Sequence, residues 1–291
     1  MRYHIAQHYW LLFILSILFM ESCINEDNSN CVQYALTTQL VDKSGAVLPD
    51  SIIGNVKAYL FINNKFDRIV TAESNGKYLI SFDGNVKATL VAFGNMNSDS
   101  VNIHTPNEGD DISTVSVDLL STRSSTSYFS SPTYLFYGRF DYTSVASGST
   151  TTALLPMHNQ HARAHVVVKH LLSKYGTGNY QLVLQGFRGA ITFNGTITGD
   201  SVTYSPSGTF DNNGDYTSDV VNTLPTKDGE YVTVLMYKDG TLLWQTSTDA
   251  DGNKVTLAAE DDKAFVIDVQ KIYILLQVMP WIDYQQSMVV Y

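Results

Sequence analysis

Residues 56–93 open on Val56-Lys57-Ala58-Tyr59-Leu60-Phe61-Ile62 and close on Val86-Lys87-Ala88-Thr89-Leu90-Val91-Ala92-Phe93, with Asn75-Gly76 and Asp83-Gly84 between them. The two outer runs are rich in β-branched and aromatic residues and have strand length. Asn-Gly and Asp-Gly supply the positive φ angles that tight hairpin turns require. The same grammar extends outward in both directions. Thr114 to Leu119 alternates apolar with polar, and His165-Val166-Val167-Val168 sits in a longer run from His161 to Leu171. Tyr180 to Phe187, Tyr231 to Tyr237 and Phe265 to Val278 continue it, punctuated by Asn194-Gly195, Asp239-Gly240 and Asp251-Gly252. Nothing past the leader sustains a helical period, although Leu257 to Ala264 could supply one turn or two. The pattern predicts an all-β chain of sandwich type.

Composition agrees with that reading. Only 16% of the 291 residues are charged, well below the roughly 25% usual in soluble domains. The net charge of −10 is the wrong sign for neutralising phosphates, so no nucleic-acid partner is expected. Two cysteines exclude a disulfide scaffold and a four-thiolate zinc site.

Tyr9 to Met20 is an apolar run of twelve residues without a charge. A membrane span needs about 20 residues, so this run fits the core of a secretory signal peptide over residues 1–22. Met20-Glu21-Ser22-Cys23 resembles a bacterial lipobox, which would make Cys23 the lipidated first residue of the mature chain. An ordinary signal peptide with Cys23 as a bystander is the alternative. Residues 23–31 read as a polar tether. Its Glu26 and Asp27 are either a solvated linker or resemble a surface-export signal. From Cys23 onward 269 of the 291 residues remain, more than one seven-stranded sandwich needs. Two domains are expected, 32–155 and 156–291, meeting near Leu155-Pro156. Ser121 to Ser131 and Thr143 to Thr152 are the candidate loops.

Several constellations invite a chemical reading. His158, His161 and His165 have metal-ligand spacing, but period-two reading of the strand puts Arg163 between His161 and His165, with no carboxylate nearby in sequence. Asp249, Asp251, Asn253 and Glu260 match positions of a calcium loop, yet Lys254 stands where glycine must turn the chain. Asp211 to Asp215 reads first as a turn. Ser74-Asn75-Gly76-Lys77 matches S-x-x-K, but an Asn-Gly hairpin occupies the helical spacing that chemistry needs. Gly176-Thr177-Gly178 lacks the third glycine of a dinucleotide loop. No enzyme, no metal and no cofactor beyond a covalent lipid on Cys23 are expected.

The chain resembles the FimB-like fimbrial anchor lipoproteins of Bacteroidetes, a family of fimbrillin-associated anchor subunits. The residues that carry the resemblance are the short spacer from Cys23 to Cys31 with the strand Val32 to Leu36, Val56 to Phe61 leading into Asn64-Lys65-Phe66, and Ala88 to Met96. Tyr134 to Gly138 and Ala162 to Val168 add to it. The resemblance implies two tandem transthyretin-like β-sandwich domains, no catalysis, an outer-membrane, surface-exposed location within a fimbrium, and fimbrial subunits as partners joined by strand addition. Stalk subunits of such fimbriae lose their first strand to an arginine-directed protease; here Arg68, the first arginine after Cys23, lies beyond that strand, so the strand is expected to be kept, while Lys43 is an alternative site for a lysine-directed enzyme. Ser287, Met288, Val289, Val290 and Tyr291 would then form a free strand donated to the next subunit, or else an edge strand of the second domain. A stalk or tip subunit of the same fold and a surface glycan-binding lipoprotein are the alternatives.

Overall fold

The computed structural model describes residues 31–95, 101–119, 128–142, 150–270 and 274–289. Cys23, Val290, Tyr291 and most of the two serine- and threonine-rich loops lie outside these residues. The first half is one seven-stranded sheet in the order β3-β2-β5-β8-β9-β1-β4. Its strands are β1 (Cys31–Leu40), β2 (Lys57–Ile62), β3 (Lys65–Val70), β4 (Lys77–Asp83), β5 (Ala88–Gly94), β8 (Phe136–Asp141) and β9 (Thr150–Asn159). β9 lies parallel to β1 from Thr150 to Met157 but meets β8 only at His158 and Asn159. The sheet therefore folds over at β9 into two layers. Leu36 and Leu155 from one layer and Leu60, Leu90 and Phe136 from the other share a single core. Where the open edges β3 and β4 face each other, Arg68 Nη2 donates to the Ser81 carbonyl at 3.0 Å. That contact occupies one edge acceptor and blunts the edge.

The second half has two sheets. One runs β13 (Gly208–Phe210), β14 (Tyr216–Ser218), β10 (Ala162–Lys169), β18 (Asp262–Asp268) and β19 (Leu275–Pro280), with β15 (Val221–Thr223) also on β10. The other runs β17 (Thr241–Thr246), β16 (Thr233–Lys238), β11 (Tyr180–Thr192), β7 (Ser116–Leu119) and β6 (Val101–Ile103), with β12 (Ile197–Tyr204) also on β11. Val166, Phe265, Leu184, Phe187 and Met236 fill the space between them. Two α-helices, α1 (Leu171–Tyr175) and α2 (Trp281–Val289), and a 3-10 turn at Asp50–Ile52 complete the described residues.

Four expectations change. The boundary placed at Leu155-Pro156 falls inside β9, whose pairing with β1 continues through Pro156 and Met157. Proline is tolerated there because the ladder to β8 begins only at His158. The chain crosses over at Gln160, and β6 and β7 from the earlier part of the sequence extend the sheet of β11. Phe265 to Val278 is not one long strand but the antiparallel pair β18 and β19. Its reversal starts at Asp268, whose Oδ1 accepts from the Gln270 amide at 2.9 Å. Leu257 to Ala264 forms no helix. Ser287 to Val289 is neither a free strand nor an edge strand, but the last turn of α2.

The halves are pressed together. Tyr59, Phe61, Val91 and Phe93 on the outer face of the first sheet are buried against Val117, Ile191, Phe193 and Leu224. A sheet with both faces covered reads as a continuous apolar run, which is why residues 86–93 lack strict alternation.

Candidate functional site

The end of the chain nearest the expected tether is held firmly. β1 runs between β9 and β4, with Val32, Tyr34, Leu36 and Leu40 buried. Tyr34 packs edge-on against Tyr142 with ring centroids 4.5 Å apart, and Phe82 and Phe140 approach Tyr142 at 4.8 and 5.1 Å. This aromatic nest sits under the first residues of β1. The Tyr142 hydroxyl is buried without a partner, and desolvation pushes its pKa far above the ordinary value.

At the other end, α2 lies on the outer face of the second half. Strand alternation turns Arg163, His165, Val167 and Lys169 of β10 outward, beside Asp262, Ala264, Val266 and Asp268 of β18 in register. Val167, Ala264 and Val266 form a buried cluster with Tyr284, against which Trp281 and Met279 pack. Trp281 and Tyr284 are three residues apart, so one helical face carries both. As a strand, the same spacing would send the two rings to opposite sides. That spacing is the signal for a helix here, and Asp283 in its first turn suits the positive end of the helix dipole. Of the five residues expected to meet a partner, Ser287 is exposed, with its hydroxyl donating to the Tyr284 carbonyl at 2.7 Å.

The histidines separate. His161 is fully buried at the crossover, both ring nitrogens lack partners, and desolvation lowers its pKa to about 3. His165 bonds Asp262 Oδ1 through Nε2 at 2.8 Å. His158 Nδ1 lies 3.3 Å from Glu260 Oε1, and the Lys43 amide donates to the other oxygen of Glu260. Lys43 belongs to the first half and Glu260 to the second, so this node ties the halves together. Among the described residues no three of His, Cys, Asp and Glu come together as metal ligands.

The calcium-loop candidates Asp249 and Asp211 each open a hairpin turn, and their carboxylates are already engaged. Asp249 Oδ1 accepts the amides of Asp251 and Asn253 at 3.0 and 2.8 Å. Asp211 Oδ1 accepts those of Asn213 and Asp215, each at 2.9 Å. Asp42 does the same with Ser44 and Ala46, and the Ser44 hydroxyl with those amides holds its carboxyl below the usual range. Glycine follows three residues later each time, with φ of 85° at Gly45, 80° at Gly214 and 88° at Gly252. The five-residue loop is one recurring turn solution. Asp249→Ala is therefore expected to cost about 1 kcal/mol, the net worth of such hydrogen bonds. A chelator should leave the melting temperature of the unsubstituted chain unchanged. A chelator-induced drop that Asp249→Ala abolishes would overturn this reading. Ser74 lies in the turn before β4, where the Lys77 amide donates to Asn75 Oδ1 at 2.9 Å, so no helix pairs Ser74 with Lys77.

Known proteins share this architecture. The fimbrial anchor protein Mfa2 from Porphyromonas gingivalis superposes with a TM-score of 0.64 at 14% identity, covering 86% of this chain and 98% of its own. A candidate polysaccharide-binding protein from Bacteroides thetaiotaomicron gives a TM-score of 0.64 at 12% identity, over 86% of this chain and 96% of its own. A candidate adhesin from Bacteroides ovatus gives 0.58 at 14% identity, over 86% and 94%. At these identities the likeness speaks for the fold alone. A comparison with curated protein sequences gives no match. A protein-family profile described as fimbrillin-A associated anchor proteins Mfa1 and Mfa2 matches residues 27–287. With most of the chain inside that match, the protein belongs to the fimbrillin-A associated anchor family, a family of fimbrial structural proteins and not of enzymes.

Proposed function

We propose that this chain is the membrane-proximal anchor of a surface fimbria, held in the outer membrane by lipid on Cys23 and joined to the first fimbrial subunit by strand addition. The observation that carries the proposal is the position of β1. It starts at Cys31, eight residues after Cys23, and it is an interior strand, paired on both sides, rather than a detachable edge. Pull on a tether at Cys23 would enter the fold through a strand laddered on both sides. Lipid supplies the other half of the anchor, since each buried methylene contributes about 0.8 kcal/mol and several chains together make attachment effectively permanent. Strand addition draws on backbone hydrogen bonds at an open sheet edge, with alternate side chains for specificity.

Metabolic acyl labelling tests the lipid. Label should be present in the unsubstituted protein and absent from Cys23→Ala, and mass spectrometry of the surface protein should find its first residue at Cys23. Undiminished label in Cys23→Ala would remove the anchor reading at its root. A dominant species beginning near residue 44 or 69 would favour a stalk subunit instead.

A further inference from the structure

The helix α2 is nine residues long and follows directly on Pro280 of β19. Alone, a helix of that length is marginal in water, so its packing has to hold it. Two aromatic rings supply the packing. Trp281 lies flat on His165, with ring centroids 3.9 Å apart and planes 4° from parallel. Tyr284 follows over Val167 and Val266, with Lys169 Nζ 6.0 Å from its ring centroid.

The imidazole under Trp281 is a titratable floor. It is 6% exposed. The groups that face it are Arg163 on its own strand, Asp262 on β18 and Trp281 on α2, with Lys169 further along β10 and Asp283 exposed on α2. Asp262 is the one carboxylate in hydrogen-bond contact, and it is already shared: Oδ2 takes Arg163 at 3.1 Å while Oδ1 takes His165. A proton on His165 would place a second cation beside one carboxylate, on a ring that is itself almost excluded from water. Attraction to Asp262 and to the indole face favours that cation, whereas burial and Arg163 oppose it.

We propose that α2 is an acid-released cover: with His165 neutral, Trp281 and Tyr284 seal the apolar stripe Val167, Ala264 and Val266, and protonation of His165 frees the helix. The direction of titration agrees. Burial first, and Arg163 with it, hold the His165 pKa below 6.5 against the pull of Asp262. The closed form therefore has its full stability above pH 6.5 and loses it as pH falls through the lower folded-state value. Release uncovers the stripe beside β19, the outer strand of its sheet. The cover is a property of the free chain and stands or falls without the anchor reading.

The chain from Cys23 onward has two tryptophans, Trp244 and Trp281. In Trp244→Phe, emission therefore reports α2 alone. Its maximum should move to the red as pH falls from 8 to 4.5, with a midpoint below 6.5 and far-UV circular dichroism retaining its strand signal. The same midpoint should appear in the Trp281 indole N–H resonance of the unsubstituted protein, so the proposal does not hang on one variant folding. His165→Phe keeps a ring under Trp281 but cannot take a proton, and it should erase the transition while Asp262 and Arg163 remain paired. Flat emission and an unmoved indole resonance down to pH 4.5, or an identical midpoint in His165→Phe, would overturn the proposal.

Discussion

A chain that lacks residues 31–40 is expected not to fold its first half. β1 carries Val32, Tyr34, Leu36 and Leu40 into the core and pairs with β4 from Cys31 to Thr37 and with β9 from Gln33 to Leu40. Burying one large apolar side chain contributes about 1.5–3 kcal/mol, so four of them represent about 6–12 kcal/mol. Whole domains are stable by only about 5–15 kcal/mol. Loss of β1 also leaves the buried ladder groups of β4 and β9 without partners. Circular dichroism and urea denaturation of the truncated chain should show loss of the first half's strand signal. A peptide of residues 31–40 supplied in trans should restore part of it. An arginine-directed cut is the more severe case. Cleavage after Arg68 would remove β1, β2 and most of β3, and Arg68 is fastened within the fold by its bond to the Ser81 carbonyl. Folded chain incubated with such a protease should survive at Arg68. Rapid cleavage there with the product still compact would sink the view that β1 is a fixed part of this subunit.

Strand content was legible in the sequence because turn residues and β-branched runs are local signals. Val56 to Ile62 and Val86 to Phe93 hold β2 and β5 within a residue or two. The assignment of strands to halves was not legible. β7 reads as a strand wherever it goes, and only burial of Val117 and Leu119 beside Ile191 sends it to the sheet of β11. Contacts at that separation leave no periodic trace. Pro156 looked like a boundary because proline opposes ladders, but a strand paired on one side at that position tolerates it. The helix α2 was readable in principle. Trp281 and Tyr284 at a spacing of three, with Asp283 between them, signal a helix; the apolar character of residues 287–291 outweighed that signal. His165 with Asp262 could not be anticipated, since the two lie 97 positions apart and meet only through the parallel pairing of β10 with β18.

Phe193→Ala should uncouple the two halves. Phe193 follows β11 in the second half, yet its ring is held by three rings of the first: Tyr59 at 4.9 Å, Phe93 at 5.0 Å and Phe61 at 5.6 Å. All four side chains are buried, and the Tyr137 hydroxyl donates to the Phe193 carbonyl at 3.1 Å. Truncating a buried phenylalanine typically costs about 3–5 kcal/mol, and the surrounding rings here come from a rigid sheet that collapses poorly into the space. The unsubstituted chain should therefore unfold in one urea transition, with far-UV circular dichroism and tryptophan fluorescence coincident. In Phe193→Ala the two probes should separate, because Trp244 and Trp281 both report only the second half while strand signal comes from both halves. Coincident transitions in the variant with a loss under about 1 kcal/mol would show that the node of Lys43, His158 and Glu260 carries the coupling instead. The distinction bears on anchoring. Under the proposed anchoring, pull entering at β1 would pass through the ladder into β9 and cross to β10 at Gln160. Without the Phe193 contact more of that load would fall on the crossover segment and on the node at Glu260. With it, the load spreads over a buried aromatic interface, and such an interface yields only by unfolding as a whole.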